Sequence, residues 1–366
     1  MDIDAALFDP GAASDGTERV MMAGSVEPFG TSRGGKKVEK VTLTNDAGMI
    51  LSYIDYGATI TAIKVPDRRG DLANVMLNLP DLAAYETTRK RHAAIIGRYA
   101  GRIAQARFTL DGKVIQLPDN GKGLALHSDP DGFDKRVWRR QDFTAEDSLG
   151  SVFHMECPEG DQGYPGRLAV EVTYRLMKAR TVFRIEYRAR TDTPTVINLT
   201  NHGFFNLAGA GTRGVDSHVL KIAADRLIET DERIVPTGRL PPIGGAYDFR
   251  EPANLGDRLE ALSPAPGFDT GYVFSRWTGR LAKVVTLDEP LSGRRMEIST
   301  TQPCLQFFSG NNFDGSEANS YQRHDGLAFE TQHLPDSPNH PNFPSTELRP
   351  GQVFRSVTSY RFSTLR

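Results

Sequence analysis

The chain has 366 residues, a formal net charge of -2, a hydrophobic fraction of 39% and a charged fraction of 25%. This is ordinary globular composition, long enough for two average domains or one large all-β domain, with no electrostatic pull toward nucleic acid or an anionic membrane. Cys157 and Cys304 are too few for a disulfide framework and no apolar stretch approaches a membrane span; a secretory signal is not recognisable either, so a cytoplasmic location is expected.

Residues 1–27 are rich in Gly, Ala, Ser and Asp without sustained periodicity, and are expected to form an N-terminal extension to a single domain over 28–366. The basic cluster at 33–37 reads as a solvated loop. A strand is predicted over 38–44, followed by the turn Asn45-Asp-Ala-Gly48. Alternation over 49–65 ends at the turn Pro66-Asp-Arg-Arg-Gly70. Asp111-Gly112 marks the tip of a hairpin over 108–117. Further strands are predicted at 168–174, 181–189, 195–199, 219–223, 282–287, 295–300, 305–309 and 356–362, with short helices near 79–85 and 254–260. Many closely spaced strands with few helices imply an all-β fold, one large β-sandwich.

Gly209-Ala-Gly-Thr-Arg-Gly214 matches the dinucleotide fingerprint, with Asp231 downstream. That fingerprint needs a helix N-terminus for the pyrophosphate, and the following Val215-Asp-Ser-His-Val-Leu-Lys-Ile reads as a strand, so the segment is a glycine-rich loop. His324, Asp325, His333, Asp336 and His340 lie close in sequence but show no strong zinc spacing, and no metal is expected.

Four segments carry candidate chemistry. Arg98 and Arg102 stand beside glycines in an apolar run; each could face a ligand or pair with a core acid. Leu124-Ala-Leu-His127, then Gly132-Phe-Asp-Lys-Arg-Val-Trp138, places a histidine in a loop ahead of a tryptophan suited to the core. Asn198-Leu-Thr-Asn-His202 leaves a β-branched strand amid groups able to fix an imidazole tautomer; its glycosylation sequon falls where burial is expected. Glu330 ends an apolar strand and enters a polar, proline-rich loop. Partial burial there would raise its pKa toward neutrality and make it a competent base, although strand-end acids often only cap amides.

Together these segments resemble the aldose 1-epimerase (galactose mutarotase) family, from about Phe29 to Phe362. The match includes Tyr56-Gly-Ala58, Val65-Pro-Asp67, Gly97-Arg-x-Ala-Gly-Arg102, Leu126-His127, Gly132-Phe-Asp-Lys-Arg-Val-Trp138, Asn198-Leu-Thr-Asn-His202 and Glu330-Thr-Gln-His-x-Pro-Asp336, in order. The resemblance implies a β-supersandwich that interconverts sugar anomers. It implies Glu330 as base, His202 as acid, and Arg102, His127, Asp269 and Gln306 as sugar-holding residues. The expected ligand is a monosaccharide and the expected assembly a monomer or homodimer, without a cofactor. A carboxylate near His202 is expected to favour its charged form.

Two departures stand out. Ser128-Asp129 replaces the glycines that usually follow the histidine, and Gly101 replaces the usual Asn before the binding arginine. Both are expected to fall among the sugar contacts and to alter sugar preference, and Asp129 would disfavour an anionic sugar if it lay close. Alternative readings are an enzyme for an unusual or phosphorylated sugar, a non-catalytic carbohydrate-binding or sensing protein, and a regulatory partner protein.

Overall fold

Along Lys37–Thr44, Val41 and Leu43 alternate into the main core, while Val38, on the opposite face, packs into a smaller cluster with Ile54 and Tyr56; Lys37, Glu39 and Thr44 are exposed. In a computed structural model that describes residues 24–365, this strand is second in a five-stranded antiparallel sheet. The others are Gly24–Thr31, Ile50–Ile54, Thr59–Pro66 and Leu72–Asn74. Residues 24–27, expected in the N-terminal extension, pair with the Lys37–Thr44 strand; residues 1–23 lie outside the described part.

A nine-stranded antiparallel sheet runs, in spatial order, through Arg139–Thr144, Ser148–Cys157, Leu168–Met177, Val182–Thr191, Phe354–Thr364, Arg294–Thr300, Ala282–Glu289, Val219–Ile222 and Ala253–Asn254. A second five-stranded sheet is ordered Phe204–Phe205, Leu327–Gln332, Cys304–Phe308, Asp269–Phe274 and Ala224–Leu227. One hydrophobic core draws Tyr53 from the first sheet, Tyr174 and Phe183 from the second, and Phe307 and Phe329 from the third. Its aromatic rings meet edge to face, as their quadrupoles favour: Tyr53 lies 5.6 Å from Phe153 and 5.4 Å from Tyr174. The fold is the expected β-sandwich with few short helices.

The hairpin forms from Arg107–Leu110 and Lys113–Gln116. Asp111 and Gly112 take φ of 48° and 75°, the positive values that a two-residue turn between twisted strands requires. Among the described residues the α-helices are Leu82–Thr87 and Leu255–Ala261, capped by Asp81 and Asn254 side chains that accept the Ala84 and Asp257 N–H groups.

The prediction passed over Arg139–Thr144, which is polar but for Phe143, and Ser148–Cys157, where serines interrupt the apolar alternation. They are tolerated because they are paired: Ser151 Oγ donates to Asp142 at 2.6 Å and meets the Tyr53 hydroxyl at 2.6 Å. The strand expected over 195–199 breaks into Thr195–Val196 and Thr200–Asn201. Between them, fully buried Asn198 donates to the Ala100 and His333 carbonyls and accepts from the His333 N–H, tying three segments together.

Candidate active site

The Leu327–Gln332 strand is buried along its whole length. Phe329 stacks on Phe307 at 5.2 Å in the core, and the two-residue period turns Glu330 and Gln332 to the other face. The register sets Glu330 opposite Gln306 and Gln306 opposite Gly271, beside Asp269 at the start of the next strand. Gln306 Nε2 donates to Asp269 Oδ1 at 2.6 Å, and Arg102 Nη2 lies 3.3 Å from Asp269 Oδ2. Strand pairing thus gathers Glu330, Gln306 and Asp269, and Arg102 joins them from a separate two-stranded sheet through its ion pair.

His202 follows Thr200–Asn201. Its N–H donates to the Ala94 carbonyl and its carbonyl accepts from the Ala93 N–H, which fixes the backbone. Its Nε2 stands 3.4 Å from Glu330 Oε1. His127 packs edge-on against the His202 ring at 5.5 Å. Its Nδ1 accepts from the Gly101 N–H at 3.1 Å, so the proton of the neutral ring sits on Nε2 as a donor.

All six predicted site residues line one cavity of about 110 Å³, together with Arg89, Lys90, Arg91, Gly101 and Gln332 among others. Four buried polar atoms of these lining residues have no hydrogen-bond partner in the protein: Glu330 Oε2, His202 Nδ1, Gln332 Oε1 and Arg91 Nε. A buried polar atom left unpaired costs roughly 1–3 kcal/mol, so such a cluster marks a site built for a polar ligand.

Burial, and then the charge of Asp269, push Glu330 up to about 8, against the pull of Arg102 and Arg91. Burial and then the charge of Arg91 push His202 down to about 3. This runs against the expectation of a charged His202: burial holds the imidazole neutral, and Glu330, itself kept protonated by burial, offers no carboxylate charge to oppose it. Burial, then Arg91, also carries His127 well below the ordinary imidazole value.

Arg91 escaped the sequence reading. Arg89-Lys90-Arg91 resembles a solvated basic run, yet the Arg91 side chain is only 11% exposed and pairs with Asp129. Its available signal was three cations directly ahead of an apolar segment.

The loop departures also read differently in three dimensions. Ser128 Oγ accepts from the Tyr99 N–H at 3.0 Å and donates to the Tyr164 hydroxyl at 3.2 Å. Neither Ser128 nor Asp129 lines the cavity, so neither is placed as a sugar contact; Gly101 does line it. At φ +82°, with Pro335 carbons 3.0 Å from where a Cβ would stand, Gly101 suits its position.

Arg98 is not a pocket residue, nor is it paired with a core acid. Its Nη1 donates to the Pro165 and Gly166 carbonyls and to Thr195 Oγ1, with the guanidinium over the Tyr164 ring. Arg98→Ala is expected to cost at least about 2 kcal/mol in denaturant unfolding, because buried acceptors lose their donor. Trp138 is a core residue, as expected, with Nε1 donating to the Phe133 carbonyl.

The metal candidates do not converge. His324 meets the Ser309 carbonyl, Asp325 pairs with Arg213, His333 meets Gln302, and His340 pairs with Asp336. Among the described residues, the group with ligand atoms within 4.8 Å of one another is His127, His202 and Glu330. Arg91 and Arg102 share that cavity, and their charge opposes a bound cation. The 209–214 segment is a loop closed by Asn206 Nδ2 on the Thr212 and Gly214 carbonyls, and the strand Val219–Ile222 follows, so the dinucleotide match has no helix behind it.

Fold and site together define a β-sandwich protein with a small polar pocket around a buried carboxylate–imidazole pair. Residues 39–361 match the family model for aldose 1-epimerase. The chain is 40% identical over 335 residues to galactose mutarotase of Mus musculus, covering 90% of this chain and 95% of the relative. It is 35% identical over 340 residues to aldose 1-epimerase of Escherichia coli, covering 90% and 96%. A crystal structure of an aldose epimerase homologue from C. elegans superposes with a TM-score of 0.80 at 27% identity, over 89% of this chain and 98% of that one. The chain belongs to the aldose 1-epimerase family, among isomerases that act on sugars.

Proposed function

We propose that this protein is an aldose 1-epimerase that interconverts the α and β anomers of a free sugar, with Glu330 and His202 as its acid-base pair. The observation that carries the reading is the buried pair itself, His202 Nε2 to Glu330 Oε1 at 3.4 Å, inside a cavity that also holds Arg102, His127, Asp269 and Gln306.

Opening a hemiacetal ring takes a proton from O1 and gives one to the ring oxygen as the C1–O5 bond breaks and C1=O forms. Rotation about C1–C2 and the reverse steps yield the other anomer. The sum of protons does not change, so a pair that carries one proton suffices. At neutral pH that proton rests on Glu330. Shifted to His202, it leaves Glu330 as base for O1 and His202 as acid for the ring oxygen. Each well-placed group is worth roughly 10²–10⁴ in rate.

Around the pair, His127 offers Nε2–H to a hydroxyl, Arg102 offers its fork, and Asp269 and Gln306 accept or donate across the ring. Asp269→Asn is expected to raise KM about tenfold, the worth of one charge-assisted hydrogen bond, as read by saturation kinetics. The reading is tested by NMR exchange spectroscopy or polarimetry over a panel of neutral and anionic aldoses. Acceleration over the spontaneous rate is expected for at least one, and none for any of them discards the proposal.

A further inference from the structure

The cavity lining is unbalanced in charge. Arg89, Lys90, Arg91 and Arg102 face it, against the carboxylates Asp269 and Glu330. Asp269 is already shared between Arg102 and Gln306. Arg91 is met from behind by Asp129, which does not line the cavity, and at 4.0 Å by Asp134.

The other two cations have weaker compensation. Lys90 Nζ donates to the Asn312 carbonyl at 2.8 Å and stands over the Phe313 ring; its carboxylate neighbour, Asp314, is 3.4 Å away and 65% exposed. An ion pair with so exposed a partner is screened and worth little. The Arg89 guanidinium makes no ion pair among the described residues, although its carbonyl accepts from Arg91 Nη1. A neutral sugar satisfies none of this excess charge.

We propose that the pocket selects an aldose bearing an anionic group, a carboxylate or a phosphate, held by Arg89 and Lys90 at the cavity mouth and drawn in by the field of Arg91. The inference rests on the anomer-exchange reading above. The anionic group sits on a carbon other than C1, since ring opening needs a free O1–H. Asp129, which alone would repel such a sugar, is committed to Arg91 and so helps to place a cation there. Cationic clefts with low-dielectric walls raise the local concentration and arrival rate of anionic ligands by roughly 10–10³, and salt removes the advantage.

The test compares kcat/KM for anomer exchange with galactose, glucose, galacturonate, glucuronate and glucose 6-phosphate, at low and high salt. The uronates or the phosphate are expected to exceed the neutral sugars by about tenfold or more. The better of the two anionic arms identifies the group the site takes. In the Arg89→Gln, Lys90→Gln double variant, and at high salt in the native enzyme, the anionic-to-neutral ratio is expected to fall toward one. Neutral sugars turned over as well as both anionic classes would overturn this inference and leave the anomer-exchange reading standing. A ratio unmoved by the double variant would equally overturn it. No acceleration with any sugar would remove the anomer-exchange reading, and this inference with it.

Discussion

Glu330→Gln is expected to reduce anomer exchange by roughly 10²–10⁴ and at the same time to raise thermal stability at neutral pH. The rate loss follows from removing the group proposed to accept the O1 proton; Gln keeps the shape and the hydrogen-bonding edge but cannot take a proton. His202→Asn is expected to lose a similar factor. Because the two act as one proton relay, the double variant is expected to be little worse than either single one, a non-additivity that independent contributions would not give. The stability gain has a defined sign. The folded value for Glu330 is about 8, above its ordinary 4.5. Between those values the unfolded chain releases a proton that the folded one keeps. Stability present below the ordinary value is therefore lost as pH rises through the folded one. Gln is neutral throughout and escapes the loss, so the difference in Tm between variant and parent is expected to widen from about pH 5 to about pH 8 in scanning calorimetry. A variant with parental rate would assign the base to another group.

The strands most legible in the sequence were those with clean alternation, such as Leu168–Met177. What obscured the rest was buried polar chemistry satisfied from a distance. Ser151 is acceptable in the core because Tyr53 and Asp142 pair with it, and Asn198 interrupts a strand because two other segments, at Ala100 and His333, need its amide. The proposed acid-base pair was nameable from local setting, a carboxylate and an imidazole each leaving an apolar run. Their protonation was not, because desolvation depends on everything packed around them. Arg91 shows the same limit: it is drawn inward by Asp129, 38 residues later, across a contact that no local pattern encodes. Arg98 shows the converse. Its glycine-rich surroundings suggested close approach to a ligand, and what approaches is the protein's own backbone, the Pro165 and Gly166 carbonyls.

The pH profile of kcat/KM with a neutral sugar is expected to be flat between about pH 4 and 7 and to fall tenfold per unit above about pH 8. The argument needs only the proton count of the pair. With Glu330 at about 8 and His202 at about 3, the pair holds one proton across that interval. Above it the last proton leaves and no acid remains for the ring oxygen. Below it a second proton arrives and no base remains for O1. Both limbs belong to the pair as a unit, so the profile holds whichever atom carries the proton at a given instant. The alkaline limb is also adjustable. After burial, the charge of Asp269 is the next cause holding Glu330 high, and Arg102 pulls the other way. Asp269→Asn removes the first and frees Arg102 from its ion pair, so both changes favour the ionised carboxylate, and the alkaline limb is expected to move to lower pH. That shift is read from the position of the limb, separately from the rise in KM. A limb that stays in place would show that the group titrating there is not Glu330, and an enzyme with no alkaline limb would not be using this pair.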